Sequence, residues 1–354
     1  MSGNDCGAAP HDLRRLILLT LGFFGGQRMI QNEPGMFIGP IAAAFGYIID
    51  FIFNIVYGMT VYNSLGISII MLTIIVRSLM LPLAYKSHKS MTAMQKLNPE
   101  MQKIRKKYPS KDKESQQKMN AEIQKLYADN KVNPLSGCLP LFIQMPLFFG
   151  LSFIMNQSYL YVSRLGGLYN QIAELIHQVP GWTNIVVPLA TNRATQRMLD
   201  NQEIDLRITT DMNRALNAFD VYDWNTLFSQ VPEPYWSGLR YLYEQKVAIE
   251  NFFGMALTEA TGLGWPGIMI PILAVTSAVL TSFVTMKSAV VTDEKARQQQ
   301  KMMMLIMPVM MGVMTVGLPA GVGIFWITSS VYQVGQQLVM NRIMGIRMFD
   351  KKEE

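Results

Sequence analysis

The stretch SIIMLTIIVRSLMLPL, residues Ser68–Leu83, decides the fold class of this chain. It lies within a longer apolar run, Ser64–Tyr85, and the hydrocarbon core of a bilayer needs roughly 20 such residues in a helix. Near its middle stands Arg77, whose charge costs about 3 kcal/mol in lipid unless it faces water or polar groups. The stretch therefore predicts a membrane-spanning helix that carries one functional charge.

Further apolar runs of similar length predict additional membrane-spanning helices. The last two runs are separated by GLPAGVG, Gly317–Gly323, whose glycines and proline are typical of a tight turn. Together with Ser64–Tyr85, the four further runs predict an all-α membrane protein with five transmembrane helices. The further runs are Leu135–Met155, Pro266–Met286, Met302–Leu318 and Pro319–Met340.

The composition argues against a soluble enzyme. Of the 354 residues, 50% are hydrophobic and only 16% charged, against about 25% charged in an average soluble domain. The two cysteines and three histidines lack the spacing of a disulfide framework or a metal site, so we expect no metal and no cofactor. Since no phosphate-binding loop or nucleophile motif occurs either, we expect neither an enzyme nor a specific nucleic-acid binder.

The distribution of charge predicts the topology. Residues 86–131 contain 12 Lys or Arg against 5 Asp or Glu, a net charge of +7 that places this loop in the cytoplasm. Residues 157–265 contain 7 basic and 11 acidic residues and fall on the opposite side. The chain is therefore predicted to have its N-terminus outside and its short tail, residues 345–354, in the cytoplasm.

Two segments outside the core leave alternatives open. Residues 36–57 are long enough to span, but Pro40, Asp50 and Asn54 favour an interfacial amphipathic helix on the outer surface over a sixth span. The acidic, aromatic segment 166–250 is compatible with a small folded cap or with a flexible loop. The predicted order is thus an unassigned segment 1–35, the interfacial helix 36–57, two spans in 58–156, the outer segment 157–265, three spans in 266–344, and the tail.

The sequence pattern of the predicted cytoplasmic loop, residues 86–131, indicates a helical hairpin. Apolar residues recur at three- and four-residue steps before Pro109, and a second helix ends before Pro134. One interpretation is a pair of helices that bury only each other. The other is a methionine-lined edge that receives apolar peptide, since methionine suits adaptable binding surfaces. The residues of that edge are Met91, Met94, Met101 and Ile104.

The position of Arg77 within an apolar run predicts that a hydrophilic groove surrounds its side chain. None of the five apolar runs contains an Asp or Glu that would neutralise it. Snorkelling is the alternative, but Arg77 lies about eight residues, or roughly 12 Å, from the cytoplasmic end of its run. Hydroxyl and amide side chains of the runs are the expected lining: Thr73, Gln144, Ser277, Thr281, Thr328, Ser329, Ser330 and Gln333.

Five strings of the chain stand out for comparison: TIIVRSLMLPL (Thr73–Leu83), KLNPEMQKIRKKYP (Lys96–Pro109), KVNPLSGCLPLFIQMPLFFGL (Lys131–Leu151), IPILA (Ile270–Ala274) and KMMMLIMPVMMGVMTVGLPAGVGIFWITSSVYQVGQQ (Lys301–Gln337). They closely resemble the YidC/Oxa/Alb family of membrane protein insertases. The resemblance implies a five-helix core with a hydrophilic groove open to the cytoplasm and the lipid. It also implies insertion and folding of membrane proteins without ATP hydrolysis, with Arg77, Gln144 and Trp326 matching the family's pattern.

The resemblance also implies where the chain works and with what. It looks like the Gram-positive type, which places it in the bacterial cell membrane. The implied partners are nascent membrane proteins and the lipid bilayer, with the Sec translocon, the signal recognition particle receptor and the ribosome. Two alternatives remain open: a specialised assembly factor, such as a sporulation paralogue, and an anion channel or transporter that uses Arg77 as its anion site.

Overall fold

The computed structural model of this protein describes residues 38–108, 112–133, 139–191, 204–287, 302, 306 and 308–345. Over these residues the chain is all-α apart from one two-stranded hairpin. Its elements, in chain order, are α1 (Ile38–Met59), α2 (Ser64–Leu79), α3 (Leu81–Lys96), α4 (Asn98–Lys107), α5 (Lys113–Asp129), α6 (Leu139–Asn156), α7 (Ser158–Tyr161), α8 (Ser163–Gln178), α9 (Trp182–Ala190), α10 (Thr209–Ala218), α11 (Val221–Gln230), α12 (Glu233–Glu250), β1 (Asn251–Phe252), β2 (Met255–Ala256), α13 (Met269–Lys287) and α14 (Ala320–Ile343).

The described residues form two compact units. The first contains the described residues up to Ile69, together with Phe148–Ile268 and Val313–Val322. The second contains Ile70–Leu147, Met269–Gly312 and the described residues from Gly323 onward. Helices α2, α6 and α14 each have residues in both units.

Most of the first unit is a group of packed helices, α7–α12, that comes from the acidic segment 157–265. This group is called the cap. Helix α8 buries one face, because its apolar residues recur at steps of three and four and pack against α10 and α12. Trp224 of α11 and Tyr169 of α8 are among the largest fully buried side chains. Each such large apolar side chain stabilises the fold by about 1.5–3 kcal/mol, so these helices pack around an apolar core of their own.

Helix α1 is attached to the start of the cap. Asp50 accepts hydrogen bonds from the backbone N–H and the hydroxyl of Ser163, both at 2.8 Å, and so satisfies a free amide at the first turn of α8. Next to it, Arg164 donates to Asn54 at 3.1 Å, and its guanidinium lies 4.4 Å from the ring centre of Tyr57. The two polar positions of α1 are therefore occupied by partners in the cap.

The first predicted span differs from the observed helix. The apolar run Ser64–Tyr85 is interrupted at Met80, where α2 ends and α3 begins at a bend of 56°. Pro82 stands in the first turn of α3, where its missing N–H and its ring are tolerated, whereas inside a continuous helix they would remove a hydrogen bond. The proline therefore ends the straight helix about six residues earlier than apolarity alone indicated.

The helix that is long and apolar enough to cross a bilayer is not one of the five predicted spans. Within the described ranges, Gly39–Met59 of α1 is the one helix that alone meets both criteria for crossing a bilayer. The bent pair α2–α3 meets them together, and Met269–Thr285 of α13 is a shorter apolar helix. The predicted fourth span, Met302–Leu318, is described only in part, with residues 308–316 helical, and the polar side chains of α14 lower its hydropathy.

The loop that was predicted to be cytoplasmic forms helices in the second unit, with one more break than expected. The apolar face that runs from Met91 to Tyr108 is divided at Leu97 between α3 and α4. Helix α4 packs against α5, and Lys107 forms an ion pair with Glu122 across them. The expected turn around Pro109 lies outside the described residues, as do the segment 1–35 and the tail from residue 346.

Candidate functional site

Arg77 lies in the last turn of α2 and is half-buried. The helix around it is apolar, and Thr73, one turn earlier, is fully buried. Since the break at Met80 follows directly, the guanidinium lies near the end of the straight part of this helix. The sequence placed it in the middle of a longer one.

The guanidinium of Arg77 holds polar groups of two other helices. Its Nη2 donates to Oε1 of Gln144 in α6 at 2.8 Å, and its Nε donates to Oγ of Ser329 in α14 at 3.4 Å. Both partners are neutral, and no carboxylate of the described residues forms an ion pair with Arg77. The local charge therefore remains positive, and the site is suited to binding carboxylates and other hydrogen-bond acceptors.

The remaining predicted lining residues take different positions. Thr281 of α13 donates to the carbonyl oxygens of Ser277 at 2.9 Å and of Ser330 at 3.2 Å, so it joins α13 to α14. Ser277 donates to a carbonyl within its own helix, that of Ala274. On α14, Trp326 is buried and lies three residues before Ser329.

Two polar contacts of this unit were not predicted from the sequence. The hydroxyls of Ser78 and Tyr332 lie 2.9 Å apart, one residue beyond Arg77 along α2. Farther along, Nε2 of Gln337 donates to Nε2 of His88 at 2.6 Å, while Nδ1 of His88 is buried without a partner among the described residues.

The sequence contains a signal for the contact between Gln337 and His88. Ser329, Gln333 and Gln337 follow one another at four-residue steps on α14, which places polar side chains on one helical face. Gln333 is half-buried and lies between the Arg77 contact and the His88 contact along this helix. Extending the polar face by one more turn would have included Gln337.

The groups around Arg77 are suited to binding a hydrogen-bond acceptor. Within the described ranges, no group of three or more His, Cys, Asp or Glu side chains is placed to hold a metal ion. The cluster around Arg77 brings together an arginine, an amide and hydroxyl groups. It can hold an acceptor group by charge and hydrogen bonds.

The residues of the proposed receiving edge are all half-buried. Met91 and Met94 lie on α3, whereas Met101 and Ile104 lie on α4. The sulfur of Met101 accepts a hydrogen bond from the hydroxyl of Tyr127 in α5 at 2.9 Å. Part of this edge is therefore used within the hairpin itself.

Most of the chain matches a known protein family. The sequence profile described as "60Kd inner membrane protein" matches residues 56–347, which contain Arg77 and every helix from α2 to α14. The chain belongs to this family. The resemblance to the YidC insertases is thereby confirmed, and a member of the 60Kd inner membrane protein family is a protein of the cell membrane.

Individual relatives match either a short segment closely or most of the chain distantly. The chain is 56% identical over 86 residues to "Membrane protein insertase YidC 1" of Lactococcus lactis and 50% identical over 88 residues to "Membrane protein insertase MisCA" of Bacillus subtilis. These segments are 24% and 25% of this chain, and they span about a third of the relatives, 32% and 34%. "Membrane protein insertase YidC" of Enterococcus faecalis is 24% identical over 85% of this chain and 75% of its own length.

Proposed function

We propose that this chain inserts and folds membrane proteins in the bacterial cell membrane. Its family relatives carry the name of membrane protein insertases. The observation that carries the proposal is the state of Arg77, a cation in an apolar helix whose described partners, Gln144 and Ser329, are both neutral. A positive charge within an apolar membrane helix is energetically costly, so its presence there supports a functional role for Arg77.

In this proposal Arg77 attracts the polar outer segment of a substrate, which is often acidic. Its two described hydrogen bonds use two of the five N–H donors of the guanidinium, so donors remain for a carboxylate. A carboxylate at about 4 Å would gain roughly 4 kcal/mol at the effective dielectric of a partly buried site. That gain offsets part of the cost of bringing a polar segment partway across the bilayer.

The apolar helix of the substrate would move along the lipid-facing sides of the first and fifth predicted spans. Met71, Ile74 and Ile75 of α2 are large apolar side chains that are exposed. Val331 and Leu338 of α14 are exposed as well. Because these faces are apolar and uncovered, they support a route on which the substrate helix stays in contact with lipid.

The remaining parts of the proposal concern the helix before the core and the cytoplasmic hairpin. Helix α1 is long and apolar enough to span, but its polar residues Asp50 and Asn54 contact the start of the cap, and these contacts support an interfacial helix on the outer surface. The N-terminus is proposed to be outside and the C-terminus in the cytoplasm. The hairpin would receive nascent chains delivered by the ribosome, the signal recognition particle receptor or the Sec translocon.

The test is insertion of a single-span substrate with an acidic outer segment, in cells depleted of their own insertase. Wild-type chain should restore insertion, and Arg77→Ala should reduce it because the attracting charge is lost. Arg342→Ala is the matched control, since Arg342 is exposed near the end of α14 and lies in the same unit.

Two results would contradict parts of the proposal separately. Undiminished insertion by Arg77→Ala would overturn the electrostatic role of this residue. Failure of the wild-type chain, expressed and membrane-bound, to support any general substrate would instead indicate an assembly factor dedicated to one pathway.

A further inference from the structure

Four large apolar side chains of the first unit are exposed. They are Tyr62, Phe253, Leu263 and Trp265, with 72%, 78%, 73% and 79% of their surface exposed; together they are called the aromatic rim. They come from three segments: the residues before α2, the turn between β1 and β2, and the loop before α13. Clustered exposed apolar side chains of this size are unusual on a surface that faces only water.

The hairpin β1–β2 brings these segments together. The backbone N–H of Phe253 donates to Oδ1 of Asn63 at 3.3 Å, which places Phe253 beside the start of α2. The ring of Phe252 packs onto α2 at Gly66, where a side-chain carbon on the glycine would collide with it. On the other side, an added Cβ at Gly254 would lie 3.9 Å from Pro266, directly after Trp265.

The loop that carries Leu263 and Trp265 is fixed to the turn between the last two predicted spans. The backbone N–H of Gly262 donates to the carbonyl of Val316 at 3.1 Å, and that of Thr261 donates to the carbonyl of Leu318 at 3.2 Å. The hydroxyl of Thr261 also donates to the carbonyl of Thr315 at 2.9 Å. The exposure of the rim is thus a property of an ordered loop.

Three ends of predicted spans therefore meet at the aromatic rim. Helix α2 begins two residues after Tyr62, α13 begins four residues after Trp265, and the turn at residues 316–319 lies against the same loop. Ends of spans lie where the hydrocarbon core of a bilayer gives way to its headgroups. Tyrosine and tryptophan prefer this layer, because their rings are apolar and their polar atoms reach water.

The charges around the rim fit a lipid partner. Between Asn251 and Met286 the sequence contains a single charged residue, Glu259, and between Thr60 and Val76 it contains none. The segments that would approach the bilayer thus lack the lysines and carboxylates that keep a surface in water.

We infer that the aromatic rim lies in the interfacial layer of the lipid bilayer and fixes the depth of α2 and α13. The occupant of this surface is lipid, not a protein partner. The inference rests on the predicted spans and on the membrane location of the family, and it does not depend on the proposed insertion activity.

The experiment places an environment-sensitive NBD label at the rim of the full-length protein in phosphatidylcholine–phosphatidylglycerol vesicles. Cys6 and Cys138 are first replaced by Ser, and single cysteines are then introduced as Leu263→Cys and, at a second rim position, Phe253→Cys. Tyr241→Cys in α12 is the matched control, because Tyr241 is similarly exposed, at 63%, but belongs to the cap. Quenching by lipids with a shallow doxyl spin label is compared with quenching by aqueous iodide.

Labels at both rim positions should be quenched severalfold more by shallow doxyl lipid than the label at 241, and less by iodide. Equal quenching by iodide at all three positions would overturn the inference, since the rim would then face water. Protection from iodide without quenching by doxyl lipid would overturn it as well, because a protein surface would then cover the rim. Insertion activity is measured separately, so its loss or retention does not affect this result.

Discussion

The strongest prediction about stability concerns a buried ion pair in the cap. Nζ of Lys246 lies 2.8 Å from Oε2 of Glu250, one turn apart on α12, and the two side chains are only 7% and 2% exposed. The lysine also lies 5.4–5.8 Å from the ring centres of Tyr169, Trp224 and Tyr243. This pair therefore joins α12 to α8 and α11 in the core of the cap.

Removing either partner should destabilise the cap strongly. Lys246→Met leaves the carboxylate of Glu250 buried with only the hydroxyls of Tyr169 and Thr258 as described donors. Glu250→Gln leaves a buried ammonium group without its counter-charge. Breaking a buried pair in this way costs about 3–5 kcal/mol, whereas an exposed pair contributes about 0–1 kcal/mol.

The same helix provides the control. Arg240 and Glu244 form an ion pair at the same four-residue spacing, 3.0 Å apart, with side chains 54% and 64% exposed. Glu244→Gln should therefore change stability by less than about 0.5 kcal/mol. The double variant Lys246→Met/Glu250→Gln should cost much less than the sum of its single changes, because it removes both charges of the pair together.

Hydrogen–deuterium exchange of α8 and α12 in detergent micelles measures these costs locally. A loss of about 3 kcal/mol in the free energy of opening accelerates exchange about a hundredfold, since each 1.4 kcal/mol is a factor of ten. The reasoning is refuted if either single variant exchanges as slowly as Glu244→Gln. It is also refuted if the double variant costs the full sum of the single changes.

Two further predictions concern the segment after the cap helices. Burial and the carboxylate of Glu250 raise the pKa of Glu259, so the folded state binds its proton more tightly than the unfolded chain. Stability should therefore fall as the pH rises above the usual value of 4.5, and Glu259→Gln should flatten this fall in a pH series of thermal unfolding; parallel curves would contradict it. Gly267→Ala should destabilise the loop by about 1–3 kcal/mol, because the added carbon would overlap the carbonyl of Thr261. Gly264→Ala, which meets nothing within 4 Å, is its control in limited proteolysis, and equal cleavage of the two would contradict the packing argument.

The site around Arg77 was accessible to sequence reasoning because few polar groups occur in the apolar runs. With no carboxylate in those runs, the hydroxyls and amides were the only candidates to face the guanidinium. The contacts of Arg77 with Gln144 and Ser329 lie within that set. Their role as a groove that binds substrate stays a prediction.

Other features depend on contacts between distant segments and left no local signal. The spacing of Lys246 and Glu250 is visible in the sequence, but the burial of the pair depends on Tyr169 and Trp224, which come from other helices. Asp50 satisfies the start of α8 from 113 residues away.

The end of α2 at Met80 is a different case. It was accessible from Pro82, but uniform apolarity across Ser64–Tyr85 outweighed the proline in the prediction. Hydropathy measures how well a segment dissolves in lipid, whereas backbone hydrogen bonding decides where a straight helix stops.

The central claim is tested most directly with the purified full-length chain in liposomes that contain no other protein. A single-span substrate with an acidic outer segment is synthesised in their presence, and the segment that crosses the bilayer is detected by its protection from protease. We predict protection with wild-type chain, much less with Arg77→Ala, and near-wild-type protection with Arg342→Ala. Protection no greater with wild-type chain than with protein-free liposomes would contradict the account.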